Sequence, residues 1–250
     1  MAVMRLDRYL ADAGYGTRSQ VKNIIRQHRV LVDGGPARSA DTRIDTESTC
    51  VKVDGKDVLY ASLQYYMLNK PAGVVSAVKD EKDKTVIGLI DEKKRRDLFP
   101  VGRLDKDTEG LLLITNDGKM SYNLLAPGKH VEKEYLVRVR GVIDEDTKTS
   151  FSEGVDIGDE RKTSPAVLSH ISHTSKQDTE YSEAHIVITE GRYHQIKRMF
   201  EAVGMEVVYL KRLRMGELLL DEALRPGEYR TLTDEEIMLL AGGSADKERK

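Results

Sequence analysis

A single aspartate stands in a loop whose composition suits acid chemistry. Asp105 follows Arg103 in the string Gly102-Arg103-Leu104-Asp105, and Gly110 closes the loop before the apolar run 111–114. A carboxylate between an arginine and a glycine-closed turn, backed by a buried strand, is presented on a rigid support. An aspartate in a glycine-flanked loop can also serve only as a turn former that bonds its own backbone. Residue types alone therefore leave Asp105 as a catalytic acid or a turn residue.

The whole loop, together with three other blocks, resembles the Rsu family of pseudouridine synthases. Residues 102–110 match the family's signature, in which the aspartate is essential. The other blocks stand in family order at Asn69-Lys70-Pro71-Ala72-Gly73, Lys133-Glu134-Tyr135-Leu136-Val137 and 190–200. The resemblance extends over residues 5–240, and it implies that Asp105 is catalytic.

The resemblance also implies the reaction and two partners for the acid. Family enzymes break the bond between N1 of uracil and C1′ of ribose, rotate the base and join C5 to C1′. Asp105 would act either as a nucleophile at C1′ or as a base at C2′, and the sequence leaves both routes open. Tyr135 matches the tyrosine that stacks on the uracil and is a candidate for removing the C5 proton. Lys197 matches the cation that pairs with the aspartate, and Arg198 is the alternative because adjacent helical residues point about 100° apart.

Further side chains are assigned to the surroundings of the target base. Arg103, beside the acid, is expected to help hold the nucleotide out of its stack, because unstacking a base costs roughly a few kcal/mol. Leu210 is expected to form an apolar wall for the uracil. No cofactor and no metal are expected, because Cys50 is the only cysteine and no metal motif supplies further ligands to His170 and His173.

Composition narrows the class of protein. The 250 residues carry 40 Lys and Arg against 42 Asp and Glu, and 39% are hydrophobic. No apolar stretch approaches the roughly 18 to 20 residues of a membrane helix, and the N-terminus lacks the apolar core of a signal peptide. We expect a cytoplasmic protein that does not contact membranes and acts as a monomer.

Basic residues are concentrated in two regions despite a net charge of −2. Residues 1–40 carry seven Lys or Arg against three Asp, and residues 192–214 carry six against two acidic residues. RNA binding depends on local charge more than on its sum. The cations expected to contact RNA are Arg5, Arg18, Lys22, Arg26, Arg29, Arg103, Arg192 and Arg198.

Two helices are predicted near the N-terminus. Residues 6–13 have helical spacing and end at Gly14, while Thr17 and Gln20 form a capping box that starts the second helix. The second helix carries apolar residues on one face and basic residues on the other, and Asp33-Gly34 then predicts a hairpin turn. This region resembles the S-four type RNA-binding domain, which implies that the basic face contacts RNA rather than only water.

From Tyr65 the pattern changes to strands with two periodic helices, one ending at Gly204 and one beginning at Thr233. Strands are predicted at 66–68, 74–75, 111–114, 135–139, 184–189, 207–210 and 218–220. This order predicts an α+β protein, in which a small N-terminal α/β RNA-binding domain precedes a catalytic domain on a mixed, largely antiparallel sheet. The predicted boundaries are 1–60 for the RNA-binding domain, 61–64 for a linker, 65–241 for the catalytic domain and 242–250 for a disordered tail.

Together these features predict a site-specific isomerase that converts uridine to pseudouridine in 16S ribosomal RNA, either free or in a partly assembled small ribosomal subunit. The small-subunit substrate is implied by Tyr193-His194-Gln195 with Lys197-Arg198-Met199-Phe200 and by Pro226-Gly227-Glu228-Tyr229-Arg230, which resemble the small-subunit enzymes. A synthase acting on 23S ribosomal RNA is one alternative. A non-catalytic RNA-binding factor for ribosome assembly is the other.

Overall fold

A computed structural model of the protein describes residues 3–46, 48–58, 63–91 and 97–240. The chain divides into two compact units, one of Met1–Gln64 with Ile90–Leu98 and one of Tyr65–Leu89 with Phe99–Lys250. The segment Ile90–Leu98, which the sequence boundaries assign to the catalytic domain, groups with the N-terminal unit. The predicted tail, 242–250, and residues 61–62 of the predicted linker lie outside the described residues.

The N-terminal unit combines two helices with short antiparallel strands around one apolar core. Four strands form a sheet in the order β3-β2-β5-β6, and β1 pairs with β4. Leu6 and Leu10 of the first helix and Val21 of the second are fully buried in the core. The elements are β1 (Val3–Arg5), α1 (Leu6–Asp12), α2 (Arg18–Arg26), β2 (Val30–Val32), β3 (Gly35–Pro36), β4 (Arg43–Asp45), β5 (Val51–Val53) and β6 (Lys56–Asp57).

The local signals predicted for this unit are present. The Gln20 amide donates to the Thr17 hydroxyl at 3.3 Å, and the Thr17 amide donates back to the Gln20 side chain at 2.8 Å, which confirms the capping box. Asp33 and Gly34 both have positive φ, at 49° and 82°, as a tight hairpin turn between β2 and β3 requires. Contacts between residues that are close in sequence therefore set the start of α2 and the turn between β2 and β3.

The second unit is built on one large sheet with four helices among its described residues. The strand order is β11-β12-β10-β13-β9-β7-β15, with β14 beside β13 and β8 beside β9. The elements are β7 (Tyr65–Lys70), β8 (Phe99–Pro100), β9 (Glu109–Thr115), α3 (Gly118–Leu125), β10 (Lys133–Arg140), α4 (Glu145–Glu153), β11 (Val167–Lys176), β12 (Thr179–Ile188), α5 (Gln195–Ala202), β13 (Glu206–Met215), β14 (Leu218–Leu219), β15 (Tyr229–Thr231) and α6 (Asp234–Leu240).

The pairing between β13 and β9 is parallel, whereas the other strand pairs in the described part of this sheet are antiparallel. The sheet is therefore mixed and largely antiparallel, and the predicted α+β fold is confirmed. Strand β9 lies between β7 and β13 and is buried along almost its whole length. No helix in the described ranges is long and apolar enough to cross a membrane.

Several local predictions differ from the structure. The strand predicted at 74–75 is wrong, because Val75 makes only an isolated bridge to Thr85. After β7 ends at Lys70, the chain turns at Gly73, which has a φ of +84° and whose amide donates to the Lys106 carbonyl at 2.7 Å. Helices α3 and α4 and strand β11 were not predicted. The sequence of α4 is mostly polar, and the side chain of Asp144 caps its start without a continuous apolar stripe.

Candidate active site

Lys70 supports the loop between β8 and β9 that carries Asp105. This lysine is fully buried at the end of β7, and its ammonium donates to the carbonyls of Pro71 at 3.0 Å, Lys106 at 3.3 Å and Thr108 at 2.8 Å. Burial lowers the pKa of Lys70 to about 8, although the carboxylates of the loop oppose that shift. One side chain thus supplies hydrogen-bond donors for two loop carbonyls that follow the acid and for the carbonyl of Pro71.

Two other contacts hold the loop on either side of Asp105. The hydroxyl of Ser76 accepts from the Leu104 amide at 3.0 Å and donates to the Leu104 carbonyl at 2.8 Å. The amide of Gly73 donates to the carbonyl of Lys106. The backbone immediately before and after the aspartate is therefore fixed by the segment that follows β7, and the Asn69-Lys70-Pro71-Ala72-Gly73 block has a positioning role.

Lys197 lies between two carboxylates of the loop. Its ammonium is 3.3 Å from Asp105 Oδ2 and 2.6 Å from Asp107 Oδ1, and Nε2 of His194 is 3.5 Å from Asp105 Oδ1. Burial alone would lower the pKa of Lys197, but the hydrogen bond and charge of Asp107 and the charge of Asp105 raise it above its usual value. Of the two cations considered from the sequence, Lys197 contacts the acid, whereas Arg198 points to another carboxylate.

The turn that enters α5 positions His194. This residue has a left-handed backbone, with φ 49° and ψ 33°, and its ring stacks on Tyr193 at 3.8 Å between centroids. The buried Gln195 side chain accepts from the Arg192 amide at 2.9 Å and donates to Glu190 at 3.0 Å. Sequence reasoning did not select His194 as a site residue; its place just before the helix carrying Lys197 was the available signal.

A cleft of about 770 Å³ opens beside Asp105, and the sheet forms its floor. Tyr135 on β10 lies opposite Arg212 on β13, and Val137 lies opposite Leu210. Tyr135 and Leu210 are both buried, and both line the recess next to the acid. We call the group of Asp105, His194 and Lys197, with Asp107 bound to Lys197, the mouth of the cleft. We call Lys133, Tyr135 and Arg212, with Leu210 of the adjoining recess, its floor.

The structure places Arg192 and Arg198 in protein contacts beside the cleft. Arg192 donates to the carbonyls of residues 161 and 162 at 2.7 and 2.8 Å and pairs with Glu190 at 3.2 Å. Arg198 pairs with Asp159 at 2.7 Å and also donates to the carbonyl of Ile157. These guanidinium groups tie the start of α5 to the preceding chain, so most of their donors are already used.

The other predicted RNA-contacting cations differ in how free they are. Arg5 pairs with Asp7 at 3.0 Å, and Arg29 pairs with Asp54 at 2.6 Å. Of the predicted RNA-contacting cations, four are exposed without an ion pair in the described part of the chain: Arg18, Lys22, Arg26 and Arg103. The first three share one face of α2, while Arg103 lies on the lining of the cleft.

This arrangement can perform acid–base or nucleophilic chemistry on a ring-sized group. The carboxylate of Asp105 is partly exposed, at 26% of its side-chain surface, and Lys197 stabilises its charge at 3.3 Å. A planar ligand placed on Tyr135 and Leu210 would bring its attached sugar to the carboxylate. The mouth therefore supplies the reactive group, and the floor supplies an apolar and aromatic surface for a base.

Comparisons with known proteins agree with this description. The family model described as RNA pseudouridylate synthase matches residues 64–202, and the S4 domain model matches residues 4–50. An uncharacterized RNA pseudouridine synthase of Bacillus subtilis is 46% identical over 95% of this chain and 98% of its own length. The ribosomal small subunit pseudouridine synthase A of Escherichia coli is 42% identical over 94% of this chain and 98% of its own.

A solved structure shows the same fold. It is described as the crystal structure of a pseudouridylate synthase, is 37% identical, covers 95% of this chain and 99% of its own, and superimposes with a TM-score of 0.65. Both the family resemblance and the resemblance of the N-terminal region are thereby confirmed. The chain belongs to the RNA pseudouridylate synthase family and carries an S4 domain at its N-terminus.

Proposed function

We propose that this protein isomerises uridine to pseudouridine at one position of 16S ribosomal RNA. The observation that carries the proposal is the ion pair of Asp105 with Lys197, at 3.3 Å, beside a recess lined by Tyr135 and Leu210. Relatives of Escherichia coli and Vibrio cholerae, named ribosomal small subunit pseudouridine synthase A, are 42% and 40% identical to the chain and support the small-subunit substrate.

In the proposed reaction Asp105 acts at the sugar, as nucleophile at C1′ or as base at C2′, while Lys197 stabilises the ionised carboxylate. The N1–C1′ bond breaks and its electron pair leaves with the uracil. The base then rotates on the surface formed by Tyr135 and Leu210, and C5 bonds to C1′. This step displaces the Asp105 carboxylate from C1′ in the first route, and in the second route C2′ regains its proton from Asp105. Tyr135 is the candidate to accept the C5 proton, and N1 gains a proton from solvent or from the same residue.

Separate surfaces hold the RNA in this proposal. The exposed cations of α2, Arg18, Lys22 and Arg26, neutralise phosphates and supply affinity, whereas Arg103 holds the flipped nucleotide at the cleft. Arg5, Arg29, Arg192 and Arg198 are already paired with carboxylates, so we expect smaller contributions from them. The protein acts as a cytoplasmic monomer on 16S ribosomal RNA, either free or in a partly assembled small subunit.

Tritium release tests this function. Small-subunit RNA labelled at C5 of uridine is incubated with the wild type, Asp105→Asn and Asp107→Asn. We expect release by the wild type, loss below detection for Asp105→Asn, and release within about tenfold of the wild type for Asp107→Asn, because only Asp105 acts on the sugar. Mapping of the product by sequencing then identifies the uridine.

The kind of RNA from which tritium is released distinguishes the alternative functions. Release from 23S but not 16S ribosomal RNA would replace the proposed substrate with the large-subunit one. Tight RNA binding without release, from naked RNA and from assembly intermediates of both subunits, would indicate a non-catalytic assembly factor. Full activity of Asp105→Asn would remove the proposed role of the acid while leaving the isomerase intact.

A further inference from the structure

Arg212 is a buried cation whose hydrogen bonds are incomplete. Only 2% of its surface is exposed, and its Nε donates to the carbonyl of Leu111 at 2.7 Å. Its Nη2 atom is buried without a hydrogen-bond partner in the described part of the chain. A buried donor of a charged group that lacks a partner is costly, so such atoms in native proteins usually await a ligand or water.

Lys133 is a second buried cation close to Arg212. It is 8% exposed, and its ammonium donates to the Val131 carbonyl at 2.8 Å. Burial, with a smaller contribution from the positive charge of Arg212, lowers the pKa of Lys133 to about 8. Among the described residues neither cation forms an ion pair. The two therefore make a buried positive site without a carboxylate.

Both cations belong to the floor of the cleft and lie next to Tyr135. Arg212 is directly opposite Tyr135 in the β10–β13 pair, so the two side chains are cross-strand neighbours on one face. Lys133 precedes Tyr135 by two residues and shares that face of β10. All three line the cleft.

The depth of this site selects the chemical group that can reach it. A flipped nucleotide enters a pocket base first, because its phosphates remain joined to the strand outside. Phosphates at the cleft would meet the exposed Arg103 rather than cations that are 2% and 8% exposed. The groups of uridine that arrive at the floor are the carbonyl oxygens of the uracil.

We propose that Arg212, assisted by Lys133, donates hydrogen bonds to a carbonyl oxygen of the uracil and stabilises the uracil anion that forms when the N1–C1′ bond breaks. This inference rests on the proposed function. The electron pair of the broken bond spreads over N1, O2 and O4 of the detached base, and Arg212 stays protonated throughout. Rebonding of C5 to C1′, loss of the C5 proton to a base and protonation of N1 then neutralise the charge.

Preorganised donors in a water-excluded site act most strongly where charge develops. Removal of one such donor typically lowers a rate by about 10² to 10³. Arg212 is preorganised in this sense, since its backbone and Nε are fixed in the sheet before any ligand binds. A cation that had to move when the ligand binds would lose part of this stabilisation to the free-energy cost of reorganisation.

A substrate with a better leaving group tests the role of Arg212. Fluorine at C5 withdraws electrons and stabilises the uracil anion, so 5-fluorouridine depends less on the protein's cation. Single-turnover loss of the starting nucleotide is measured on RNA fragments that carry uridine or 5-fluorouridine at the target position, with the wild type, Arg212→Met and Arg212→Lys. Because fluorine replaces the C5 hydrogen, the second substrate stops once C5 has bonded to C1′, and its consumption rather than release of a C5 proton is followed. We expect Arg212→Met to lose about 10² in rate on uridine and about tenfold less on 5-fluorouridine, with Arg212→Lys in between.

Arg214→Met is the matched control, because Arg214 lies on the same strand but pairs with Glu132 at 3.0 Å and Glu134 at 2.9 Å, away from the cleft. Its losses should be equal for the two substrates. If Arg212→Met does not fold, as judged by its melting curve, Lys133→Met provides the same comparison and should show a smaller difference of the same sign.

Equal losses on uridine and 5-fluorouridine in the floor variants would overturn the inference while the wild-type activity keeps the proposed function. Unchanged single-turnover rates with weaker, less salt-dependent RNA binding would also overturn it, since they would assign Arg212 to a phosphate. A wild type that converts neither RNA would refute the proposed function itself.

Discussion

Charged side chains are arranged in opposite ways at the mouth and at the floor of the cleft. At the mouth, Asp105 and Asp107 face Lys197, so carboxylates and cation compensate each other at 2.6 to 3.3 Å in partly exposed positions. At the floor, Lys133 and Arg212 rest on backbone carbonyls, and no carboxylate pairs with them in the described part of the chain. The paired charges fix geometry, whereas the unpaired buried cations maintain a positive potential for a group that arrives with the substrate.

Lys70 belongs with the floor in this respect, although it lies under the loop. It too is fully buried and donates to carbonyls rather than to a carboxylate. A carbonyl satisfies a donor without cancelling its charge, so these cations remain electrostatically active. The mouth and the floor meet where β9 runs beside β13, at Gly110 and Arg212.

The largest expected effect comes from Gly110→Ala, which would break the junction between mouth and floor. An added Cβ would lie 2.2 Å from the carbonyl oxygen and 2.7 Å from the nitrogen of Arg212, at a φ of +99° that disfavours any side chain. We expect a loss of about 3 kcal/mol in the free energy of unfolding, and a melting temperature lower by roughly 6 to 12 °C. Differential scanning calorimetry measures both.

Gly118→Ala is the control for that substitution. Gly118 begins α3 and has no atom within 4 Å of an added Cβ. Its melting temperature should stay close to that of the wild type, because alanine is favourable in a helix. A Gly110→Ala protein as stable as Gly118→Ala would show that β9 and β13 can separate without cost and would contradict the close approach.

The next largest effect is expected when the ion pairs at the mouth are removed. Lys197→Met removes the only cation within 4 Å of both Asp105 and Asp107 among the described residues, leaving two nearby carboxylates without compensation. We expect kcat to fall by about 10²-fold, equivalent to about 2.7 kcal/mol of transition-state stabilisation. The same loss of Lys197 should raise the pKa of Asp107 toward its usual value, since the lysine lowers it now.

Steady-state kinetics of tritium release measures the first effect, and carboxyl titration by NMR measures the second. Lys106→Met is the matched control, because Lys106 stands in the same loop but pairs with exposed Asp83 at 2.7 Å. Its kcat should equal that of the wild type. Equal losses in the two variants would mean that the general positive charge of the loop matters rather than the pairing with the acid.

The smallest effect concerns the buried cation under the loop. Lys70→Met leaves three carbonyls without their donor but also removes a buried charge, so we expect a net loss of about 1 to 2 kcal/mol in stability at pH 7. The pKa of Lys70 is lowered in the folded protein to about 8 from 10.5. Between these values the unfolded chain binds the proton that the native protein has released.

The wild type should therefore gain stability relative to Lys70→Met as the pH rises from 8 toward 10. Denaturant unfolding of both proteins at pH 7, 8, 9 and 10 gives the difference directly, and it cancels the titration of the remaining groups. A difference that stays constant or shrinks with rising pH would show that Lys70 is not held in a site that disfavours its charge.

Prediction from the sequence succeeded where the signal is local. The capping box at Thr17 and the turn at Asp33-Gly34 depend on residues within a few positions of each other, and both are present. Helix α4 was not predicted because its stability comes from burying Phe151 against the rest of the domain rather than from an apolar stripe. The segment 74–75 has the composition of a strand, but Val75 pairs with residues 84–86 and not with the sheet.

The candidate site likewise contains residues that the sequence indicated and residues that only the structure revealed. Asp105 and Lys197 could be selected from their motifs, and the structure brings them within 3.3 Å across 92 positions of sequence. His194 was not selected, because its approach to the acid requires a left-handed backbone that no local pattern showed. Within Lys211-Arg212-Leu213-Arg214, the sequence presents Arg212 as one of several surface cations. Only the alternation of side-chain directions along β13 turns it inward.

The sequence by itself determined the family, the reactive aspartate, the presence of basic residues in two regions and part of the order of helices and strands, since α3, α4 and β11 were not predicted. Those properties depend on motifs and short-range spacing, which are written along the chain. Only the tertiary structure decided which cations stay free, which are tied into ion pairs, and which lie buried at the floor. Charge compensation and burial depend on residues far apart in sequence, so their outcome exists only once β10, β13 and β9 lie side by side.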